Sequence, residues 1–304
     1  MRLCAATADG VWVMRRDDAD WQVRHAQLQG RAFWTVAVSP HQKDVIFAGA
    51  DGHGLFRSVN GGGSWRPMSR GLESPYVHSI AFDATDPRVI FVTTLPAAVY
   101  RSSDGGETWE PLPDLALAAA AAPRPPQVVT HPTQTGQVYV LDAGVGGALH
   151  CSSDGGRTWL VSLANAGRLH ELTALPRLLL LAADDGLQRS TDDGATWELA
   201  RNTRAACAVS AFPAASSAQC AGLLRTTSGH PALIGSQDGG STWFPAPIAA
   251  PLDLHQIKLA PLTIFGIEGT GALLRAPWQT PADSPMWSVL SDELPPVFGI
   301  GWSE

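Results

Sequence analysis

The chain is poor in charge: Asp, Glu, Lys and Arg make up 16% of its 304 residues, against about a quarter in ordinary globular domains. What charge remains is acidic, with a formal net of −7 and a pI near 5.7. A general binder of nucleic acid or of anionic membrane needs a surplus of Lys and Arg, so the balance argues against either role and no nucleic-acid partner is expected, local patches aside. Cysteine is scarce as well. Cys4, Cys151, Cys207 and Cys220 show no CxxC spacing, so they read as reduced, buried small hydrophobes without disulfides, as suits a cytoplasmic protein. Long apolar runs are missing, and "RLLLLAA" from Arg177 falls well short of the roughly 18 residues of a membrane helix. The opening "MRLCAATADGVWVM" lacks the apolar core and cleavage site of a secretory signal. No membrane insertion is expected, and the location expected is the cytoplasm.

Turn formers are plentiful, with 30 Gly and 23 Pro, a composition of short strands and many turns. One phrase recurs. "SSDGGETW" at Ser102 and "SSDGGRTW" at Ser152 are joined by "SVNGGGSW" at Ser58, "STDDGATW" at Ser190 and "SQDGGSTW" at Ser236. The closing tryptophans, Trp65, Trp109, Trp159, Trp197 and Trp243, lie 44, 50, 38 and 46 residues apart. A further step of 44 outward reaches Trp21 and Trp287, which read as worn copies and bring the count to seven units.

Inside each unit, four strand-like pieces precede or follow the phrase, as in "FWTVAVSP", "DVIFAGADG", "HGLFRS" and "SWRPMS". We name these strands A to D. Four short strands repeated at about 40 to 45 residues predict the blades of a β-propeller. The N-terminus supplies only B, C and D strands, while "VFGIGWSE" from Val297 aligns with the A strand "VHSIAFDA". The expectation is an all-β, single-domain, seven-bladed propeller of four-stranded antiparallel blades, closed by strand A at 297–303. Blade bounds are 1–26 with 297–304, then 31–70, 76–114, 126–165, 169–201, 206–247 and 254–291.

The phrase Ser-x-Asp-x-Gly-x-Thr-Trp resembles the Asp-box, or BNR, repeat. That wider family includes sialidases, xyloglucan-cleaving hydrolases, sortilin-type receptors and Ycf48-type photosystem II assembly factors. Its residues read as structural: Ser58, Asn60, Gly62 and Trp65; Ser102, Asp104, Gly106 and Trp109; Ser152, Asp154, Gly156 and Trp159; Ser190, Asp192, Gly194 and Trp197; Ser236, Asp238, Gly240 and Trp243. A short Asp can accept backbone N–H bonds in its own turn, and Gly permits positive φ. Asn60 can do the same, which argues against acid–base or calcium chemistry at that position.

Function on a propeller is expected in the D–A and B–C loops, on the face away from the phrase. The A strands align on Val36, Ile80, Val129, Leu172, Val209, Ile257 and Ile300. Two places earlier stand Trp34, His78, Gln127, His170, Cys207, His255 and Phe298 at the expected channel mouth. One place after the centre stand Ala37, Ala81, Thr130, Thr173, Ser210, Lys258 and Gly301. His78, His170 and His255 are the candidate metal ligands, since three imidazoles suffice for zinc, although each could equally cap its own blade. Arg31, Arg70, Arg124, Arg168 and Arg204 sit in D–A loops, where guanidinium forks suit a carboxylate or phosphate. Asp9, Asp51, Asp142, Asp184, Asp185 and Glu268 in the B–C turns could neutralise them. The alanine-rich "DLALAAAAAPRPPQ" from Asp114 reads as a flexible insertion or a short helix over the mouth.

The leading expectation is a non-catalytic binding or assembly propeller that holds a partner protein, an acidic peptide or another anionic ligand through Arg31, Trp34, Arg70, His78, Arg124, Arg168, His170, Arg204, His255 and Lys258, with no cofactor. The alternative is a glycoside hydrolase, which needs paired carboxylates across a groove. Glu171 with Glu73 or Asp253 is the best pair. Against it, no Arg-Ile-Pro motif is present, and of only three tyrosines Tyr76 alone falls near the mouth while Tyr100 and Tyr139 fall inside strands. A third reading is a small-ligand or metal sensor built on Trp34 and the three histidines.

Overall fold

The computed structural model describes residues 1–17, 20–112, 115, 117, 125–143, 147–212, 218–227, 230–246, 250–251, 253–260, 263–278 and 287–303. Arg124 and most of the alanine-rich connection lie outside them. Contacts divide the chain into two compact units: Met1–Asp142, Cys151–Leu160 and Glu293–Glu304, and Ala143–His150 with Val161–Asp292.

The strands are β1 (Arg2–Thr7), β2 (Gly10–Asp17), β3 (Asp20–Gln27), β4 (Phe33–Val38), β5 (Ile46–Ala50), β6 (Leu55–Ser58) and β7 (Arg66–Pro67). Next come β8 (Tyr76–Phe82), β9 (Ile90–Leu95), β10 (Ala98–Ser102), β11 (Glu110–Pro111), β12 (Gln127–Thr130), β13 (Val138–Leu141), β14 (Ala148–Ser152) and β15 (Leu160–Ala164). Then follow β16 (Leu169–Leu175), β17 (Leu178–Ala183), β18 (Gly186–Ser190), β19 (Glu198–Leu199), β20 (Ala206–Phe212), β21 (Gln219–Arg225), β22 (Pro231–Ser236) and β23 (Phe244–Pro245). The last are β24 (Leu254–Ala260), β25 (Thr263–Glu268), β26 (Leu273–Pro277), β27 (Ser288–Val289) and β28 (Val297–Ser303).

They form seven four-stranded antiparallel sheets, the blades of an all-β propeller, six of them built from consecutive strands and one ordered β28-β1-β2-β3. In that sheet β28 pairs along β1, from Arg2 opposite Ser303 to Thr7 opposite Val297, so one blade draws on both ends of the sequence, as expected. The second strand of each blade reads as a continuous apolar run because both of its faces are covered. IFAGA of β5, VYVL of β13 and LLLLAA of β17 are buried throughout. No disulfide joins the cysteines. Burial pushes the Cys4 and Cys220 thiols up to about 12, so they stay protonated and pack as small hydrophobes.

The five phrases fold alike. In the third blade the Ser102 hydroxyl donates to Asp104 Oδ1 at 2.8 Å and accepts from Gly106 N at 2.8 Å. Asp104 in turn accepts from Thr108 N at 2.9 Å and from the Thr108 hydroxyl at 2.6 Å. Asp154, Asp192 and Asp238 repeat this geometry on Thr158, Thr196 and Thr242. Asn60 substitutes as foreseen, accepting from Ser64 N at 2.9 Å and donating to the Ser64 hydroxyl at 3.0 Å. Gly106 has φ +88, and a Cβ there would stand 2.8 Å from the Phe47 ring. Two tryptophans reach the preceding blade: Trp109 Nε1 donates to Met68 O at 2.7 Å and Trp197 Nε1 to the Ser162 hydroxyl at 3.0 Å.

The two outer copies part company. Trp287 immediately precedes β27, as Trp65 precedes β7, and it packs where a Cβ on Gly266 would meet its ring. Trp21 instead lies inside β3, opposite Arg16. The first blade replaces the phrase with a long β2–β3 hairpin, so the 44-residue step backward lands on a strand residue.

A link between blades escaped the sequence reading. Arginine stands directly before the phrase serine in "FRS" and "QRS". Arg57 Nη1 donates to Gly105 O at 3.3 Å and Arg189 Nε to Gly239 O at 2.8 Å, each onto the phrase of the next blade.

Candidate functional site

The aligned position two places before the A-strand centre is a β-bulge in six of the seven blades. Pairing jumps from Phe33 to Thr35, Val77 to Ser79, Leu169 to Glu171, Ala206 to Ala208 and Leu254 to Gln256. In β28, Gly299 and Val297 pair with consecutive residues of β1. The residues left over are Trp34, His78, His170, Cys207, His255 and Phe298. Gln127, by contrast, pairs in register with Leu141. A bulge inserts one unpaired residue and re-aims its side chain out of the alternation.

In the first unit three of these residues form a row. Trp34 stacks on His78 at a centroid distance of 5.4 Å and an interplanar angle of 27°, and lies 4.9 Å from the Phe298 ring. Trp34 keeps 36% of its surface exposed, and Tyr76, at the start of β8, keeps 44%. Arg31 is half-buried, its guanidinium 5.8 Å above the Phe56 ring. Arg70 and Glu73 are exposed. The main chains of both D–A arginines are used structurally, Gly10 N donating to Arg31 O at 2.7 Å and Trp109 N to Arg70 O at 2.9 Å.

Burial lowers the His78 pKa from 6.5 to about 4, with Asp51 opposing the shift. The ring is therefore neutral at pH 7, a stacking surface rather than a cation. Because the folded value is the lower one, the unfolded chain binds more protons between the two, and stability falls as pH drops from 6.5 toward 4. Wild type is expected to lose more stability than His78→Gln between pH 7 and pH 4 in urea denaturation. Equal losses would remove His78 as the titrating group.

In the second unit the bulge histidine is committed differently. His170 is buried, and its Nε2 lies 2.6 Å from Asp184 Oδ1. Partial burial tends to raise the Asp184 pKa, but the His170 hydrogen bond and charge hold it below the ordinary value. This B–C turn acid thus serves its own blade's histidine. Glu171 Oε1 meets Lys258 Nζ at 2.7 Å, and its Oε2 accepts from Val209 N at 3.2 Å. One carboxylate ties three successive A strands, β16, β20 and β24, with both oxygens engaged. Asp253, Arg168, Arg204 and His255 are exposed, and Asp184 N donates to Arg168 O at 3.0 Å. Among the described residues no three His, Cys, Asp or Glu side chains converge on a metal-sized position.

Residues one place after the A-strand centre tie neighbouring strands. The Thr130 hydroxyl donates to Phe82 O at 2.6 Å and that of Thr173 to Val209 O at 3.2 Å, while Ser210 accepts from Leu259 N at 2.9 Å. Their small polar character has a structural cause, and in the bulge row Cys207 and His170 have one too, the first bonding Leu223 O at 3.4 Å and the second Asp184.

Residues 100–111 match the BNR/Asp-box repeat model. Among curated proteins no sequence relative is found. Solved structures match widely. The GH74 enzyme of Niastella koreensis superposes with a TM-score of 0.76 at 16% identity, over 94% of this chain and 51% of that one, so the chain spans about half of that enzyme's length. YCF48 from Cyanidioschyzon merolae gives 0.61 at 12% identity over 87% and 86% of the two chains, and a YCF48 bound to D1 peptide gives 0.62 at 14% over 97% and 87%. At these identities the likeness shows the fold alone. No helix among the described residues is long and apolar enough to cross a membrane.

Proposed function

We propose that this chain is a non-catalytic binding or assembly propeller that holds an extended peptide of a partner protein on the face of its D–A and B–C loops. The observation that carries the reading is the bulge-borne row Phe298–Trp34–His78. Strand pairing does not ask for rings at these positions, yet three consecutive blades place them in ring contact, with Trp34 36% exposed. Large flat side chains of this kind anchor partners at low entropic cost. Arg31 and Arg70 flank the row in sequence and favour a peptide that also bears acidic residues. The YCF48 bound to D1 peptide lends support, as a propeller of this fold that takes a peptide.

The test is selection from a displayed peptide library on the full chain, followed by calorimetric titration of the selected peptide. Trp34→Ala is expected to weaken binding about tenfold or more, as truncation of a ring anchor does. Arg31→Gln and Arg70→Gln are expected to reduce its salt dependence. Selected peptides that bind Trp34→Ala as tightly as wild type would refute the proposed face.

A further inference from the structure

A second opening lies between two adjacent blades, beside their short fourth strands. It measures about 450 Å³ and sits between the β18–β19 edge of one blade and the phrase hairpin of the next, in the second unit. That size falls within the roughly 300–1,000 Å³ of small-ligand sites. Arg189, Glu198, Leu199, Arg201, Trp243 and Phe244 are among the residues that line it.

The repeats act as internal controls. In the pairing with the third strand, Phe244 occupies the place of Arg66, Glu110, Glu198 and Ser288 in four other blades, and in the blade of β14 and β15 the residue directly after the phrase tryptophan is Leu160, apolar but without a ring. Leu199 occupies the place of Pro67, Pro111, Pro245 and Val289. The blade therefore has no need of a ring at the first position, and burial does not explain it, since Phe244 is 65% exposed and Leu199 54%. Trp243 adds a third apolar wall. The charges are unequal in commitment. Arg189 is held by Gly239 O at 2.8 Å and lies 3.5 Å from the Glu198 carboxylate. Arg201 is exposed, and among the described residues no acidic side chain forms an ion pair with it.

An apolar wall beside one unanswered guanidinium is complementary to a molecule with a ring at one end and a single negative charge at the other. We propose that this groove binds a small amphipathic anion of that class, the ring on Phe244, Trp243 and Leu199 and the carboxylate or sulfonate on Arg201. The site is independent of the bulge row.

Anilinonaphthalene sulfonate, whose fluorescence rises in an apolar environment, is the probe, titrated into the full chain with calorimetry for stoichiometry. One saturable site is expected. Phe244→Ser and Arg201→Gln should each weaken it about tenfold, and the uncharged parent ring system should bind wild type more weakly by a similar factor. Val289→Ser, which removes an exposed apolar side chain (49% exposed) at the matching place of the next blade, should leave it unchanged. All three substitutions are at exposed positions, and circular dichroism checks that each variant folds. Wild-type affinity in either groove variant, or binding that never saturates, would overturn the assignment.

Discussion

A chain ending at Pro296 is expected to lose at least about 3 kcal/mol of stability, read as a lower urea midpoint by tryptophan fluorescence. The loss has three sources. Removing β28 strips the whole paired length of β1, and Leu3, Cys4, Ala5, Ala6 and Thr7, all fully buried, then belong to an edge strand. Val297, 1% exposed, leaves its apolar site, a contribution of about 1.5–3 kcal/mol by itself. Ala8 N also loses its bond to Pro296 O unless that residue keeps its place. Full-length Gly301→Val separates strand loss from simple shortening. A Cβ on Gly301 would stand 2.8 Å from Val36 O, a backbone atom of β4 that cannot swing aside. That variant should fall in the same direction by several kcal/mol. Unchanged midpoints in both proteins would mean that the β28 pairing contributes nothing.

Asp104→Ala is expected to destabilise by about 1–2 kcal/mol at pH 7, the loss seen when a short capping side chain is truncated, with solvent at the exposed carboxylate already allowed for. Asp104→Asn should lose distinctly less, because Asn60 already performs the same task in the second blade. The two variants should also differ from wild type in acid. Although partial burial works the other way, the Thr108 and Ser102 hydrogen bonds hold Asp104 at about 2, below its ordinary 3.8. Asp192 and Asp238 are likewise held at about 2. A depressed folded value adds stability that is complete above pH 4 and lost as pH falls toward 2. The gap between wild type and Asp104→Asn should therefore narrow across that window in acid titrations of stability. A constant gap, or an Asn variant as weak as the Ala variant, would contradict a capping role for the carboxylate.

Much of the architecture was legible because the phrase is both repeated and mechanically constrained. Its serine and its Asp or Asn bond within their own turn, so few residues can stand there. The sharing of one blade between the two ends was legible for a similar reason, the A strand at Val297 matching the pattern of the one at Val77. Trp21 misled because spacing alone placed it, with no Ser-x-Asp before it to confirm a hairpin.

The bulges were present in the sequence as a rhythm. In a regular strand buried apolar residues recur every second place, yet here Phe33 and Val36, Val77 and Ile80, Leu169 and Leu172, Ala206 and Val209, Leu254 and Ile257, and Val297 and Ile300 are three apart. That extra step marks the inserted residue in all six strands. The fates of His78, His170 and Glu171 could not be read in this way. Whether a histidine stacks on Trp34 or bonds to Asp184 depends on which side chain a neighbouring strand or turn presents. Only the folded chain supplies that information. The opening beside Phe244 was illegible for the same reason, as it needs two blades to exist.

The inserted residues have one more consequence. Regular ladder positions are judged twice, by the partner strand and by the adjoining sheet, so exchanging them disturbs the frame. A bulge residue is set outside that alternation. Where it also meets solvent, as Trp34 does, its letter can change at less cost to the frame, whereas His170, bonded to Asp184, and Cys207, packed in the core and bonded to Leu223 O, are held as firmly as any ladder residue.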